Sequence, residues 1–275
     1  MDMCIVLVYC LCDDLLKWQH HRDDPQSMLT DAEVMTIALV AALYFGGNQA
    51  LSRTMLAEGG YIKHKISRSR LSRRLGRVRH QFMTLFRLLG EVSKEGNPEN
   101  IYLLDSLPVA ACDNYRIRRC KLYRSAEYRG YQASKKRYFY GLKIHLVVTK
   151  EGLPVEFLLS PGAWNDAALL DQFDFDLPPN AQVIGDKAYN VYLVEDIMAE
   201  CNLALLPIRK QNSTRPRPGW LTYLLTTYRK QVETAGSQIE RLLPKHIHAT
   251  SADGFELKVV LFVLASTIDR LYVDR

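Results

Sequence analysis

Val183-Ile184-Gly185-Asp186-Lys187-Ala188-Tyr189 is a short apolar run that closes on an aspartate. β-Branched residues followed by Gly-Asp read as a buried strand with a carboxylate at its end. Ile101-Tyr102-Leu103-Leu104-Asp105 has the same form. A carboxylate in such a place is costly unless it is solvated, paired or metal-bound. Should the two strands be neighbours, the carboxylates converge within metal-ligating distance, at the kind of strand end where sites collect in open sheets. The plainer reading stands beside this one: a strand-end aspartate often only begins a turn.

Working outward, the first strand is expected at Ile101 to Leu104. Tyr138 to Val148 alternates with period two and predicts a second. Lys150-Glu151-Gly152 is a turn, and Leu153 to Ser160 returns as a third strand in a hairpin. Ala167 to Leu170 reads as a helix capped at Asn165 or Asp166. A fourth strand is expected at Gln182 to Gly185, a helix over Val191 to Cys201, and a fifth strand at Ala204 to Ile208. After a Pro- and Arg-bearing loop, Gln211 to Gly219, come a helix through Glu233 and a long apolar helix, Phe255 to Tyr272. Three consecutive strands followed by αβαβα predict an α/β fold with a mixed five-stranded sheet flanked by helices.

Ahead of this the chain reads as all-α. Apolar residues from Cys4 to Cys12 continue into Leu15-Leu16-Lys17-Trp18 as a first buried helix, too short to span a bilayer. Thr30-Asp31-Ala32-Glu33 is a capping box before Val34 to Phe45, which Gly46-Gly47 stops. Leu51 to Leu56 is a short helix. Ser67 to Leu89 carries Leu71, Leu75, Val78, Phe82, Phe86 and Leu89 at helical spacing. Short helices, glycine turns and a basic helix resemble a helix-turn-helix module. The polar stretch Glu95 to Asn100 marks an expected boundary between a helical domain, 1–97, a candidate for DNA binding, and a strand-bearing domain, 98–275, a candidate for catalysis.

Charge supports that division. The 275 residues carry a net charge of +6, unevenly spread. Lys63 to Arg79 holds eight Lys or Arg and no acid; Arg116 to Lys143 holds ten and one acid, Glu127. Such clusters are the electrostatic footprint of phosphate binding, and Arg68, Arg70, Arg73, Arg74 and Arg77 are the candidate DNA contacts. A solvated basic face on a core helix is the bland alternative. Six cysteines without a CxxC pair read as reduced thiols in a cytosol. Cys10, Cys12, His20 and His21 fit no standard zinc spacing. Tyr138-Phe139-Tyr140 reads as cross-strand packing rather than a base-stacking platform, and His145 as a structural histidine.

A third acid lies on a helix. Tyr228, Val232, Ala235, Ile239 and Leu242 form an apolar stripe, with Arg229, Glu233 and Glu240 on the adjacent face. Taken alone this is an ordinary amphipathic helix. Combined with Asp105 and Asp186, Glu233 would complete a hard-oxygen set favouring Mg²⁺ or Mn²⁺ over zinc. Two such ions ~3.5–4 Å apart assist both the attacking and the leaving oxygen of a phosphodiester. No GxSxG, Walker loop or HExxH competes with this reading.

Five segments occur in order: Leu104-Asp105-Ser106; Tyr138-Phe139-Tyr140-Gly141-Leu142-Lys143-Ile144-His145; Ser160-Pro161-Gly162-Ala163-Trp164-Asn165-Asp166; Gly185-Asp186-Lys187-Ala188-Tyr189; and Arg229-Lys230-Gln231-Val232-Glu233-Thr234. Over about residues 100–272 the chain resembles the DDE transposases of bacterial insertion sequences. The resemblance implies an RNase H-like catalytic domain with Asp105, Asp186 and Glu233 as catalytic, metal-binding residues for two Mg²⁺ or Mn²⁺ ions. It further implies hydrolysis at inverted-repeat ends, then joining of the freed 3′-hydroxyl to target DNA. Lys187 and Arg229 would contact phosphate, and Trp164 is a candidate for insertion beside a frayed base. Pairing of two double-stranded DNA ends implies a homodimer or larger assembly in the cytoplasm of a bacterium, at its nucleoid. Asn165-Asp166 stands where many relatives have His-Asp, so Asp166 joins the candidate list. Thr226 and Glu240 stand where a related signature has Tyr and Lys, and Glu240 is a rival for the third acid. A nuclease without strand transfer, or a DNA-binding regulator with a decayed catalytic domain, are the alternatives.

Overall fold

The apolar run ahead of Asp105 continues beyond it: in the computed structural model, β1 spans Ile101–Asp113. The structure describes residues 1–132 and 135–273, without the side chains of residues 113, 231–235 and 273. The expectation of a strand ending at Leu104 is therefore corrected. Past Leu104, β1 is paired on one side only, and a singly paired stretch tolerates Pro108, which has no N–H to give a second neighbour.

Two compact units make up the chain. One is Leu89–Gln238; the other joins Met1–Leu88 to Ile239–Arg275. The first contains a mixed sheet of six strands, not five: β1, β2 (Arg129–Gln132), β3 (Arg137–Thr149), β4 (Pro154–Pro161), β5 (Gln182–Gly185) and β6 (Ala204–Pro207). β1 runs antiparallel to β3 and β3 antiparallel to β4, while β1, β5 and β6 are parallel. With β2 set aside, the strand order is β4-β3-β1-β5-β6. The additional strand, β2, pairs Arg137 to Tyr140 on the same edge of β3 whose next stretch, Leu142 to Val148, pairs β4. Its four residues, Arg-Gly-Tyr-Gln, carry no apolar alternation, so β2 has no signal of its own.

Where β1 shifts register between Ala110 and Cys112, its backbone crowds Gly141 on β3. A Cβ at Gly141 would lie 2.2 Å from the Val109 carbonyl oxygen and 2.8 Å from the Ala111 nitrogen. No other residue fits there without moving β1. One face of the sheet buries Tyr102, Leu104, Val147, Val183 and Leu205 with Phe173, Phe175 and residues of α6 (Tyr192–Glu200). The expected short helix after Trp164 is a 3₁₀ segment, Asp166–Gln172, and Asn165 caps it by accepting from the Ala167 N–H. A single helix, α7 (Gly219–Leu242), carries Arg229.

The second unit is helical. It contains α1 (Asp2–Trp18), α2 (Asp31–Tyr44), α3 (Gln49–Glu58), α4 (Arg68–Arg77) and the start of α5 (Arg79–Glu95), with α8 (Ala252–Ile268) from the far end of the chain. The capping box is present in full: Thr30 Oγ1 accepts from the Glu33 N–H, and Glu33 accepts from the Thr30 N–H. Gly46 and Gly47 turn the chain between α2 and α3 with φ of +54° and +79°. Both α2 and α8 are apolar around most of their circumference, and such helices must be covered on all sides. They pack on one another, which is why α8, assigned from sequence to the C-terminal part, groups with the N-terminal helices. The expected single helix from Ser67 to Leu89 is two, broken at Val78; Gly76 weakens the last turn of α4. Among the described residues, no single helix is long and apolar enough to cross a membrane.

Candidate active site

Leu104 and Gly185 are partners in the parallel β1–β5 ladder. Asp105 and Asp186 are the next residues on these two strands, which lie ~4.8 Å apart by the geometry of any ladder. From there they diverge. Asp105 stays in the sheet, opposite Leu146 of β3. Asp186 leaves it and starts a 3₁₀ turn, Lys187–Tyr189. Each aspartate accepts the N–H of its successor through Oδ1, Asp105 from Ser106 at 2.8 Å and Asp186 from Lys187 at 2.5 Å. Those bonds fix one oxygen of each carboxylate.

Burial dominates the electrostatics of Asp105 and pushes its carboxyl up to about 6. The Ser106 N–H and the charge of Arg229 act against this; the charges of Asp186 and Asp166 add to it. Arg229 reaches over from α7 and is ion-paired, Nη1 to Oδ1, with Asp186. A small cleft opens between Asp105, Asp186 and Arg229. The donor set is oxygen only, and a carboxyl poised near neutrality beside a second carboxylate is what a dication would stabilise in its charged form. The residues present therefore fit a hard divalent metal, which Asp105 and Asp186 could hold. Glu233 lies four residues after Arg229, about one helical turn along α7. Its side chain is outside the described residues. The rival, Glu240, is exposed near the end of α7 and belongs to the helical unit.

Asp166 has a different station. It accepts from Ser106 Oγ at 3.0 Å and from Lys143 Nζ at 2.8 Å, and the same ammonium donates to the Trp164 carbonyl at 2.9 Å. This brace joins β1, β3 and the loop before the 3₁₀ segment, one residue from Asp105. Ser106 and Lys143 lie within the quoted motifs, where sequence alone assigns them no role. Their partner is 60 and 23 positions away, and no local pattern encodes such a pair. Trp164 is 45% exposed and Lys187 is exposed. His145 is buried with Nε2 2.9 Å from Ser160 Oγ, and burial lowers its pKa to about 4, in keeping with a structural histidine.

In the helical unit the basic residues separate into two kinds. Arg68, Arg70, Arg73 and Arg77 are exposed on α4. Arg74 is turned inward, its side chain 12% exposed. It donates to Asp31 through Nε at 3.1 Å and Nη2 at 2.5 Å, and to the Leu29 carbonyl at 2.6 Å. Asp31 also meets His21 Nε2 at 2.8 Å, and its N–H donates to Asp23 at 2.6 Å. His21, Asp23 and Asp31 stand close enough together to hold a metal ion. Arg74 is engaged in that network rather than offered to solvent.

No curated protein sequence matches the chain. Among solved structures, a piggyBac transposase synaptic complex with hairpin DNA is similar at 10% identity and a TM-score of 0.49, covering 98% of this chain and 74% of that one. The Mos1 transposase paired-end complex with the left transposon end is similar at 14% identity and a TM-score of 0.27, covering 83% and 82%. The family model for the transposase DDE domain matches residues 95–249. That match spans more than half of the 275 residues, and the chain belongs to the DDE transposase family.

Proposed function

We propose that the chain is a metal-dependent transposase that hydrolyses phosphodiester bonds at the inverted-repeat ends of an insertion element and joins the freed 3′-hydroxyl to target DNA. One observation carries this reading: the Leu104–Gly185 register, which sets Asp105 and Asp186 side by side at the end of the β1–β5 ladder. The family implies dependence on a divalent metal, and Asp105, Asp186 and Glu233 are the residues we assign to it, as Mg²⁺ or Mn²⁺ in a two-ion arrangement. When bound, the ions would supply charge stabilisation at the attacking and leaving oxygens.

The remaining roles belong to the chain itself. Hydrogen bonds from Ser106 and Lys187 hold one oxygen of each aspartate in place. Arg229 balances charge at Asp186, and we assign it to a phosphate of the scissile strand. The Lys143–Asp166–Ser106 brace keeps β1 and the Trp164 loop in register, with Trp164 assigned to an unstacked base. Arg68, Arg70, Arg73 and Arg77 are assigned to double-stranded DNA, and Arg74 to the fold. Two ends held together call for a dimer or larger assembly, working at the nucleoid of a bacterial cell.

The test uses purified protein, Mg²⁺ or Mn²⁺, and linear DNA closed by the element's own terminal repeats. Nicked ends together with joined products support the proposal. Nicking without joining would instead identify a nuclease. Metal-independent binding with neither product would identify a DNA-binding regulator.

A further inference from the structure

Within the helical unit a cavity of about 650 Å³ opens between the α2–α3 turn, α4, α8 and the segment after Pro244. Four elements far apart in sequence deliver cations to it: Arg53, Arg68, Lys245 and Lys258. His246 and His248 line it as well, and among the described residues no Asp or Glu does. Asn48 and Gln49, at the N-terminus of α3, form part of the wall. Asn48 caps that helix by accepting from the Leu51 N–H at 3.1 Å, so the positive end of the α3 dipole faces the same space.

Such a lining is self-repelling. Lys258 is partly buried on α8, whose buried positions are mostly apolar and whose acids are Asp253 and Glu256, and both its burial and the charge of Arg68 push its pKa down. Its ammonium donates to the His248 carbonyl, a neutral acceptor that does not cancel the charge. Arg53 likewise donates to a carbonyl, that of Ile66, at 2.5 Å. Converging cations with no acid among the described lining residues lose stability through mutual repulsion and desolvation, and an anion between them reverses both effects. The volume exceeds what an inorganic anion fills and suits a nucleotide-sized group.

We propose that this cavity is a phosphate-binding site that takes a backbone phosphodiester of DNA, made of residues other than the acid cluster and sharing only Arg68 with the exposed face of α4. The choice of DNA over a free phosphate rests on the transposase reading; the anion chemistry does not.

The test compares wild type with Lys258→Gln and Lys245→Gln, the latter on an exposed segment where folding is not at risk. Lys17→Gln, on α1 and away from the cavity, controls for loss of one positive charge. Fluorescence anisotropy on a labelled mixed-sequence duplex is recorded across a salt series, and uptake of inorganic phosphate is followed by calorimetry. For each cavity variant we expect duplex affinity to fall roughly 3- to 10-fold at moderate salt. The slope of log affinity against log salt should fall by about 1, with no sequence dependence; Lys17→Gln should change neither. Duplex binding by wild type with an unaltered slope in both cavity variants overturns the site and leaves the transposase reading standing. Uptake of phosphate that both variants lose, without duplex binding by wild type, supports the anion site and overturns its assignment to DNA. Absence of both overturns the site outright.

Discussion

Arg229 on α7 is ion-paired through Nη1 to Oδ1 of Asp186, the residue that follows the last β1–β5 partner. The same oxygen accepts the Lys187 N–H. One guanidinium therefore cancels charge at the acid cluster and would compete with a metal for a carboxylate oxygen. Arg229→Gln should lower DNA cleavage by about 10-fold or more through loss of a charged contact to phosphate. It should also lower the Mg²⁺ concentration needed for half-maximal activity. A Mg²⁺ titration of cleavage reads both; an increased Mg²⁺ requirement would show that Arg229 helps to hold the metal.

Asp105 predicts a pH dependence of stability. Burial raises its carboxyl from 3.8 to about 6. A raised folded-state pKa means a stability contribution that is fully present below the unfolded value. It is lost as pH rises from about 4 through about 6. In a chelator-treated sample, stability should fall across that window by on the order of 2–3 kcal/mol. Asp105→Asn should remove the fall, and Mg²⁺ at pH 8 should restore stability to wild type but not to the variant. Urea denaturation at pH 4, 6 and 8 measures it.

Arg74 and Arg70 are four positions apart on one basic helix and should behave oppositely. Arg74→Ala leaves Asp31 without its main partner in a part-buried network and should cost about 2–4 kcal/mol of stability. Arg70→Ala, on the exposed face, should change stability by less than about 0.5 kcal/mol and lower the salt slope of DNA binding by about 1. Denaturation and anisotropy on both variants check the pair.

Lys143 predicts an effect at a distance. Lys143→Met leaves Asp166 without its ammonium partner, and the uncompensated charge lies near Asp105. The acid limb of the cleavage pH–rate profile should move to higher pH. Lys143→Arg should leave it closer to wild type.

What the sequence made legible, and what it hid, follows physical lines. Gln182 to Gly185 is visible because a fully buried parallel strand is a continuous apolar run, and it coincides with β5. Thr30 and Glu33 are visible because a capping box is a local chemical pattern. Asp105 is expected at a strand end and is inside a strand, because β1 there loses one neighbour and does not end. Arg74 is indistinguishable from Arg70 and Arg73 in composition; only the fold turns it towards Asp31. The Ser106–Asp166–Lys143 brace and the cavity between Arg53, Arg68 and Lys258 join distant segments, and period-based reading has no access to such pairs.

The central claim is that Asp105, Asp186 and Glu233 act as one metal-dependent unit. Its most direct test is cleavage of terminal-repeat DNA in Mn²⁺ by Asp105→Asn, Asp186→Asn, Glu233→Gln and Glu240→Gln, each checked for folding. The first three should each lose about 10²-fold or more in rate, with Glu240→Gln close to wild type. Retained cleavage by Asp105→Asn or Asp186→Asn would contradict the account, and loss with Glu240→Gln but not Glu233→Gln would move the third acid to Glu240.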